Sequence, residues 1–388
     1  MKKALVIGGG FGGVQAAIEL QKTGLFEVTL VSDRDYLYLY PISIWIPTGK
    51  IPFEKVKLPL EDIRKANKFK LVVDAVESIK SKENKVYCKN SILEYDYLVV
   101  ALGADKMKHP GIENTLSICG KPEISLDIKE RLGDLIKIGS GKIAIGFGGN
   151  PKDKSGVRGG PAFELIFNIH ELLKEKGIRE NFELHFFAPM EQPGERMGLK
   201  SVAMVDSMFA SYHIHKHYGK KIKSFERDGI VFEDDSKQQA DLILFIPASA
   251  SHNVLNNSDL PLSEAGFIKI DDNCQVDGQS NVYAVGDIAA LIGPSWTAKQ
   301  GHIAELMARN AAENIFNAEK GIDNRKGYEK HLNILCVMDT GRGAAIVFRN
   351  DKKAFVIPLP IIGHWLKQGW GYYSKLTKKK LFPRLPGL

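Results

Sequence analysis

Near its amino terminus the chain reads ALVIGGGFGGVQAAIEL over residues 4–20. The apolar residues that open this stretch predict a short buried strand, and the residues after the glycines predict a helix. Between them Gly8, Gly10 and Gly13 fit the pattern G-x-G-x-x-G in a strand–turn–helix context. Gly8 allows the tight turn, Gly10 lets a pyrophosphate approach the backbone, and Gly13 lets the helix pack closely on the strand. The stretch therefore predicts a Rossmann-like dinucleotide-binding domain with the phosphates at the helix amino terminus.

The second strand of this domain is predicted over residues 26–31. In NAD-binding domains the end of this strand presents an Asp or Glu to the ribose, whereas Ser32 occupies that place here and Asp33 follows. Either Asp33 takes over the contact or Ser32 makes a weaker one. The missing acid argues mildly against a plain NAD site.

Two later strands end in residues that are typical of flavoproteins. The first ends in Ala101-Leu102-Gly103, an A-x-G turn of the kind that flavoproteins place near the cofactor. The second ends in Gly286-Asp287, where the carboxylate can accept a hydrogen bond from a ribityl chain. With the glycine motif, these elements in this order resemble the flavoproteins that have two dinucleotide-binding domains. The resemblance covers essentially the whole chain and implies FAD, rather than NAD, at the first site.

A second glycine motif follows the predicted strand over residues 142–145, but it is interrupted. It begins GFG at residues 146–148, and Pro151 stands where the third glycine belongs. A polar loop over residues 152–160 then delays the helix, for which Pro161 is a suitable first residue. Because a second pyrophosphate has no direct cradle, we expect a remodelled site rather than a pyridine-nucleotide site.

These elements predict an α/β fold with two Rossmann-like domains and a C-terminal membrane-associating segment. The FAD domain is discontinuous and comprises residues 1–110 and 265–320. The second, substrate-side domain comprises residues 111–264, and the C-terminal domain comprises residues 321–388.

Composition and charge exclude several other classes of protein. The 388 residues are 44% hydrophobic and 26% charged, which is ordinary for a globular protein and excludes a disordered or fibrous chain. The net charge of +7 falls in the tail, since eight Lys and Arg residues but no acidic residue follow Asp351. No motif of a nucleic-acid binder accompanies that charge. The four cysteines form no CxxC, so we predict no zinc site, no other metal site and no disulfide scaffold.

The segment over residues 364–380 predicts a short amphipathic helix. At about 100° per residue its apolar side chains gather on one face, and Lys367, Lys375 and Lys378 lie on the other. The apolar set is Trp365, Leu366, Trp370, Tyr372, Tyr373 and Leu376. Aromatic anchors beside lysines predict an interfacial anchor on anionic lipid, which residues 382–386 would continue. A helix packed on its own domain or at a dimer interface is the alternative.

No other segment predicts insertion into a membrane. The amino terminus runs straight into a strand without the apolar region of a secretory signal. No apolar run approaches the roughly 20 residues that span a bilayer. We therefore expect a peripheral protein of the cytoplasmic membrane.

Several stretches resemble the sulfide:quinone oxidoreductase group, whose close relatives are the type II NADH dehydrogenases. They are residues 31–41, 117–119, 159–164, 297–305 and 336–341. The resemblance implies bound FAD, with Lys299 near its ring. Together with the motifs above, it implies cofactor contacts from Gly8, Gly10, Phe11, Gly12, Gly13, Ser32, Asp33, Arg34, Pro41, Val76, Ala101, Leu102, Gly103, Gly286, Asp287, Lys299 and Gly301.

The resemblance also implies a catalytic set, from which this chain departs at one position. In that group sulfide attacks a disulfide between a late cysteine, here Cys336, and a cysteine just before the central Gly-Pro. Two electrons then pass on to quinone. Arg158 stands at the second position, and no cysteine lies between Cys119 and Cys274. Either Cys119 pairs with Cys336, which needs Cα atoms within about 6–7 Å, or the chemistry has changed and Arg158 holds an anionic substrate.

Several candidates also have a plainer explanation. Cys336 fits a buried small hydrophobic residue, as free cysteine often is. Glu164, at the start of the central helix, fits a capping residue favoured by the helix dipole as well as a proton relay. For Lys299, by contrast, we favour the functional explanation, a cation that stabilises negative charge on the ring.

The sequence as a whole predicts an FAD-dependent oxidoreductase of the membrane surface that passes electrons to quinone. Sulfide or another small reductant is the expected donor, with altered cysteine chemistry, and a second copy or a partner protein is possible. A type II NADH:quinone dehydrogenase is an alternative that Pro151 disfavours. A flavoprotein electron-transfer subunit without its own sulfide site is another, which the missing cysteine favours.

Overall fold

The computed structural model describes residues 1–384 of the chain. Within them no helix is both long enough and apolar enough to cross a bilayer. The α-helices of this part of the chain are α1 (Phe11–Lys22), α2 (Tyr40–Ser43), α3 (Leu60–Asn67), α4 (Ile124–Ile138), α5 (Gly160–Glu175), α6 (Leu199–Ser211), α7 (Gly301–Lys320) and α8 (Gly363–Lys378).

A five-stranded parallel sheet carries the first glycine motif. In spatial order its strands are Val282–Ala284, Tyr97–Val100, Lys2–Ile7, Phe26–Ser32 and Lys70–Val73. The central strand ends in the buried residues Val6 and Ile7, as expected of a strand that is covered on both faces. The chain leaves this sheet after the strand Tyr97–Val100 and returns to it only with Val282–Ala284. The turns at the ends of both strands therefore lie beside the glycine motif.

A four-stranded parallel sheet forms the second α/β unit. Its strands, in spatial order, are Ile214–Tyr218, Phe182–Ala188, Gly141–Phe147 and Leu242–Ile246. The helix α5 begins only at Gly160, with Pro161 in its first turn, because the polar loop follows the strand Gly141–Phe147. The interruption that the sequence predicts is therefore present in the structure.

Antiparallel hairpins and short pairs complete the fold. Residues 76–94 form a three-stranded sheet of Val76–Lys80, Lys85–Cys88 and Ile92–Glu94, and residues 222–239 form another of Ile222–Glu226, Gly229–Phe232 and Lys237–Gln239. The two-stranded pairs are Tyr36–Tyr38 with Lys57–Pro59, Asp105–Lys106 with Ser249–Ala250, and Ile268–Lys269 with Ala289–Ala290. The C-terminal sheet contains Ile334–Asp339, Ala344–Arg349 and Ala354–Leu359.

The C-terminal helix α8 packs on this last sheet and on α2 through the face that carries lysines. Lys367 and Lys378 are buried, with only 4% and 3% of their surface exposed, whereas Trp365 is 73% exposed. Of the three lysines that the sequence places opposite the apolar face, Lys367 and Lys378 are therefore not available to anionic lipid. Buried carboxylates on α5 and α7 pair with them, which leaves the apolar face of the helix uncovered. The predicted continuation at Leu385 and Pro386 lies outside the described residues.

Candidate active site

A single large cavity of about 3070 Å³ runs from the first glycine motif to the base of α8. It brings together all but one of the residues that the sequence predicts for the site, although they come from widely separated parts of the chain. The exception is Gly13, which does not line the cavity. The predicted residues that line the cavity are Gly8, Gly10, Phe11, Gly12, Ser32, Asp33, Arg34, Pro41, Val76, Ala101, Leu102, Gly103, Cys119, Arg158, Glu164, Gly286, Asp287, Lys299, Gly301 and Cys336.

The first glycine motif closes one end of the cavity around the amino terminus of α1. A Cβ atom on Gly8, whose φ is +111°, would lie 2.3 Å from the Ala101 carbonyl oxygen, and one on Gly13 would lie 1.8 Å from the Gly8 carbonyl oxygen. A Cβ atom on Gly10 would meet nothing within 4 Å. The N–H group of Val14 makes the first bond of the helix, to Gly10, so the preceding N–H groups are available to a phosphate.

The segment after the second strand supplies an unpartnered donor. Ser32 is buried, and its Oγ accepts a hydrogen bond of 3.2 Å from the Arg34 N–H group. The Asp33 side chain is mostly exposed and lies 3.5 Å from Arg34 Nε. That buried Nε atom has no hydrogen-bond partner among the described residues. A half-buried arginine with an unfilled, buried Nε donor suits an anionic or oxygen-rich ligand at this end of the cavity.

Three cations line the middle of the cavity. Lys299 Nζ donates to the Asp287 carbonyl oxygen at 2.9 Å and lies 3.3 Å from the Asp153 carboxylate. Burial lowers the pKa of Lys299 to about 7, although Asp153 opposes the shift. Burial, aided by the charge of Arg158, lowers the pKa of Lys106 to about 8. Arg158 forms an ion pair with the Asp287 carboxylate, so the predicted ribityl acceptor has a protein partner as well.

Cys336 lies beside a buried ion pair. Its Sγ atom is 3.9 Å from Glu164 Oε1, and the other carboxylate oxygen of Glu164 pairs with Lys367 Nζ. Burial raises the pKa of Glu164 to about 7, against the effect of Lys367. Burial and the neighbouring Glu164 raise the pKa of the Cys336 thiol to about 12. The thiol is therefore protonated at rest and has a proton acceptor in reach.

The cysteines form no disulfide within the described residues. Cys119 and Cys336, which both border the cavity, are free thiols, and Cys88 and Cys274 are buried. The first alternative, a disulfide between Cys119 and Cys336, is therefore not present in this structure. The alternative of changed chemistry remains for Cys336 and Arg158.

Comparison with known proteins assigns the chain to a family. The family model described as "Pyridine nucleotide-disulphide oxidoreductase" matches residues 2–314. The chain belongs to this family. It is therefore an oxidoreductase.

Individual members of the pyridine nucleotide-disulphide oxidoreductase family resemble the chain along most of its length. The chain is 28% identical to the sulfide-quinone reductase of Aquifex aeolicus, over 98% of this chain and 90% of that protein. It is 25% identical to the type II NADH:quinone oxidoreductase of Staphylococcus aureus, over 89% and 90% of the two chains.

Solved structures agree on the fold. The sulfide:quinone oxidoreductase of Aquifex aeolicus superposes with a TM-score of 0.89 at 24% identity, covering 98% of this chain and 92% of that one. NDH2 from Plasmodium falciparum, solved in complex with NADH, superposes with a TM-score of 0.76 at 13% identity, covering 99% of both chains.

Sequence reasoning missed a second buried ion pair in this family member. Glu305, on α7, lies 2.5 Å from Lys378 Nζ and 3.1 Å from Arg384 Nη2. Burial would raise the pKa of Glu305, but Lys378 and Arg384 hold it below its usual range. The buried Nη1 atom of Arg309 nearby has no hydrogen-bond partner within residues 1–384. Glu305 falls in the stretch 297–305 that resembles the quinone-reducing group, but no pattern in the sequence indicates that α8 turns its lysines toward it.

Proposed function

We propose that the chain is an FAD-dependent oxidoreductase that takes electrons from sulfide or another small sulfur reductant and passes them to a membrane quinone. One observation carries this proposal. A single cavity is lined by a dinucleotide cradle, by the Cys336–Glu164 site and by apolar side chains of α8. The relatives named for sulfide and quinone span nearly the whole chain, which supports the same assignment.

The residues of the first glycine motif fit FAD. The diphosphate would bind the N–H groups at the start of α1, where Gly10 leaves open space. The unpartnered Arg34 Nε, beside Ser32, would receive the adenosine end, and Asp287 and Lys299 would hold the ribityl and ring end. When bound, FAD supplies a two-electron acceptor and donor. The protein contributes position, charge and exclusion of water.

The quinone would enter at the base of the cavity. Trp370 and Tyr373 of α8 and Ile346 and Phe348 of the C-terminal sheet line the cavity there. The Glu305–Lys378 pair borders the same region, and Lys378 Nζ lies 5.8 Å from the centre of the Phe11 ring. Apolar side chains beside a carboxylate–ammonium pair suit a quinone, which has a lipid-soluble ring and two oxygen atoms that are protonated on reduction.

The same end of the molecule would lie on the membrane. Half of the large apolar side chains that are exposed within residues 1–384 fall between residues 357 and 382. They are Ile357, Ile361, Ile362, Trp365, Leu366, Tyr372, Leu376, Leu381 and Phe382. An exposed apolar face next to Lys379 and Lys380 is typical of an interfacial anchor. We propose peripheral attachment to the cytoplasmic membrane.

The second α/β unit makes NADH an unfavourable donor. After the strand Gly141–Phe147 the helix amino terminus is displaced to Gly160, where a phosphate of a nucleotide at Gly148 cannot use it directly. The next strand, Phe182–Ala188, continues into Pro189 rather than into an acidic residue that would bind ribose hydroxyls. A small anionic donor near Arg158 and Lys106 fits the remodelled space better.

Anaerobic reduction of the purified, flavin-loaded protein tests the proposal. We expect sulfide, and not NADH, to bleach the flavin absorbance within seconds, and a soluble quinone analogue to restore it. Bleaching by NADH would instead assign the NADH dehydrogenase activity, and bleaching by neither would indicate an electron-transfer subunit. The matched variant Cys336→Ser should retain its flavin and lose reduction by sulfide. Retained reduction would remove Cys336 from the mechanism.

A further inference from the structure

Three elements of the chain meet at one buried cluster on the cavity wall. The strand Ile334–Asp339 contributes Cys336, α5 contributes Glu164 and α8 contributes Lys367. Lys367 Nζ pairs with Glu164 and also donates to the Val337 carbonyl oxygen at 3.2 Å. Cys336 Sγ, 3.9 Å from Glu164, borders the cavity together with both partners. The cluster thus has a nucleophile, a base and a group that holds the base, the arrangement by which weak nucleophiles are activated.

One ammonium group can balance the charge of this cluster in either of two protonation states. In the first state Glu164 is a carboxylate and Cys336 is a thiol, and in the second Glu164 is a neutral acid and Cys336 is a thiolate. Lys367 is the counter-ion in both states, so the net charge of the buried cluster does not change. Without Lys367 either state would bury an unpaired anion, which is costly.

We infer that Glu164 takes the proton of the Cys336 thiol while Lys367 stays charged beside it, so that Cys336 acts as a thiolate nucleophile without a second cysteine. The S–H bond of Cys336 breaks, an O–H bond forms on Glu164, and no electron moves. Lys367 acts through Glu164 and is a positioning residue. The inference concerns only this proton transfer, and it rests on the proposed function only for the electrophile that the thiolate meets, which cannot be sulfide because sulfide is itself a nucleophile.

Other charged groups lie near the cluster, and their effects on Cys336 must be distinguished from those of Glu164 and Lys367. Asp339 accepts hydrogen bonds from Trp45 Nε1 at 3.0 Å and from Asn168 Nδ2 at 2.8 Å, and His364 Nδ1 lies 3.0 Å from it. Although burial opposes ionisation, His364 and Lys367 hold the pKa of Asp339 below its usual range.

A lysine lies on the far side of that carboxylate. Lys50 Nζ donates to Asn168 Oδ1 at 3.1 Å and to the Gly341 carbonyl oxygen at 2.9 Å. Asp339 therefore stays ionised near neutral pH, and His364 is the ionisable group in contact with it that a control has to remove. The variant His364→Gln separates its effect.

The pH dependence of Cys336 alkylation tests the inference directly. Flavin-loaded, full-length protein is treated with iodoacetamide between pH 6 and 9.5, and modification of Cys336 is followed by peptide mass spectrometry. Moving the proton from Cys336 to Glu164 does not change the number of bound protons. The thiolate fraction should therefore rise as the cluster loses its first proton and then stay level until the second proton begins to leave. A buried thiol that titrates without Glu164, with its pKa raised above this range, would instead gain reactivity by about tenfold per pH unit throughout.

Two substitutions should abolish the pH range over which the rate of Cys336 alkylation stays constant. In Glu164→Gln and in Lys367→Met we expect Cys336 to react at least tenfold more slowly at pH 7.5, with a rate that keeps rising with pH. Lys367→Arg should restore part of the rate. Lys375→Met is the matched control, because Lys375 lies on the same helix and bonds the Lys55 carbonyl oxygen, away from the cluster. It should behave as the parent protein does.

The same digest and the flavin content show whether a variant is misfolded. Retained flavin and an unchanged rate at Cys119 in the same digest show that a variant is intact, and Glu164→Gln is nearly isosteric if Lys367→Met proves unstable. A parent profile that rises without a level region would overturn the inference, as would variants that keep the parent profile. Because alkylation needs neither sulfide nor quinone, the level region would survive even if the flavin proved insensitive to sulfide.

Discussion

The helices α1 and α8 both border the cavity, but they bury opposite kinds of side chain. In α1 the apolar residues Val14, Ala17 and Leu20 are buried in the core, and the backbone at its amino terminus faces the cavity. In α8 the buried residues include Lys367 and Lys378, and the apolar side chains Trp365, Leu366, Tyr372 and Leu376 are exposed. Both helices are amphipathic in sequence. Their periodicity alone does not say which face is turned inward.

Which face of each helix is buried depends on the side chains that the rest of the molecule places beside it. The strands beside α1 present an apolar surface, so its apolar face is buried in the ordinary way. The surface under α8 presents the buried carboxylates Glu164 and Glu305, for which an unpaired burial would cost several kcal/mol. Two lysines of α8 neutralise them. The uncovered apolar face is then available to a bilayer.

The largest effect is expected at the cradle of α1. In Gly13→Ala the new methyl group would lie 1.8 Å from the Gly8 carbonyl oxygen, a contact that backbone cannot relieve without separating helix and strand. We expect loss of nearly all bound flavin and a large fall in soluble yield, measured by the ratio of visible to ultraviolet absorbance. In Gly10→Ala the methyl group meets no protein atom, so the fold should persist while flavin binding weakens. Equal behaviour of the two variants would contradict this account of the cradle.

A smaller but still large loss is expected when a lysine of α8 is removed. Lys378→Met removes the ammonium group from Glu305 and leaves Arg384 in contact with it, so the loss should be a part of the about 3–5 kcal/mol that a buried charge without any partner costs. The melting temperature should fall by several degrees. Adding Glu305→Gln should recover most of the loss, because the carboxylate that lost its ammonium partner is then neutral. If Lys378→Met melted like Lys375→Met, the view that α8 is held by buried charge would be wrong.

Much of the cavity wall could be predicted from sequence because it depends on local patterns. The glycine motif, the Ala101–Gly103 turn and the Gly286–Asp287 turn each follow a strand, and parallel strands present their carboxyl ends at one edge of a sheet. Lys299 and Cys336 could be placed only through the resemblance to a family. All of these residues except Gly13 line the same cavity.

The ion pairs could not be predicted, since they join residues that no local pattern relates. Arg158 with Asp287 and Glu164 with Lys367 each connect different elements of the fold. The helical period places Lys367 and Lys378 on one face of α8, as observed, but it does not indicate that this face packs against carboxylates. A buried lysine is rare without a partner, so finding the partner required the fold.

The smallest effect is expected at the exposed face of α8, where it would sharpen the contrast with α1. Trp365 contributes nothing to the core, so Trp365→Ser should leave the melting temperature unchanged, whereas a substitution on the apolar face of α1 would lower it. Loss of one interfacial aromatic side chain should weaken binding to vesicles that contain anionic lipid by roughly tenfold, or about 1.4 kcal/mol. Ile138→Ser is the matched control, because Ile138 is 72% exposed at the end of α4, outside the proposed membrane face. Flotation with vesicles measures both. Equal flotation of the two variants would mean that the apolar face of α8 meets something other than lipid, and a concentration-dependent dimer in the parent protein would identify a second copy as its cover.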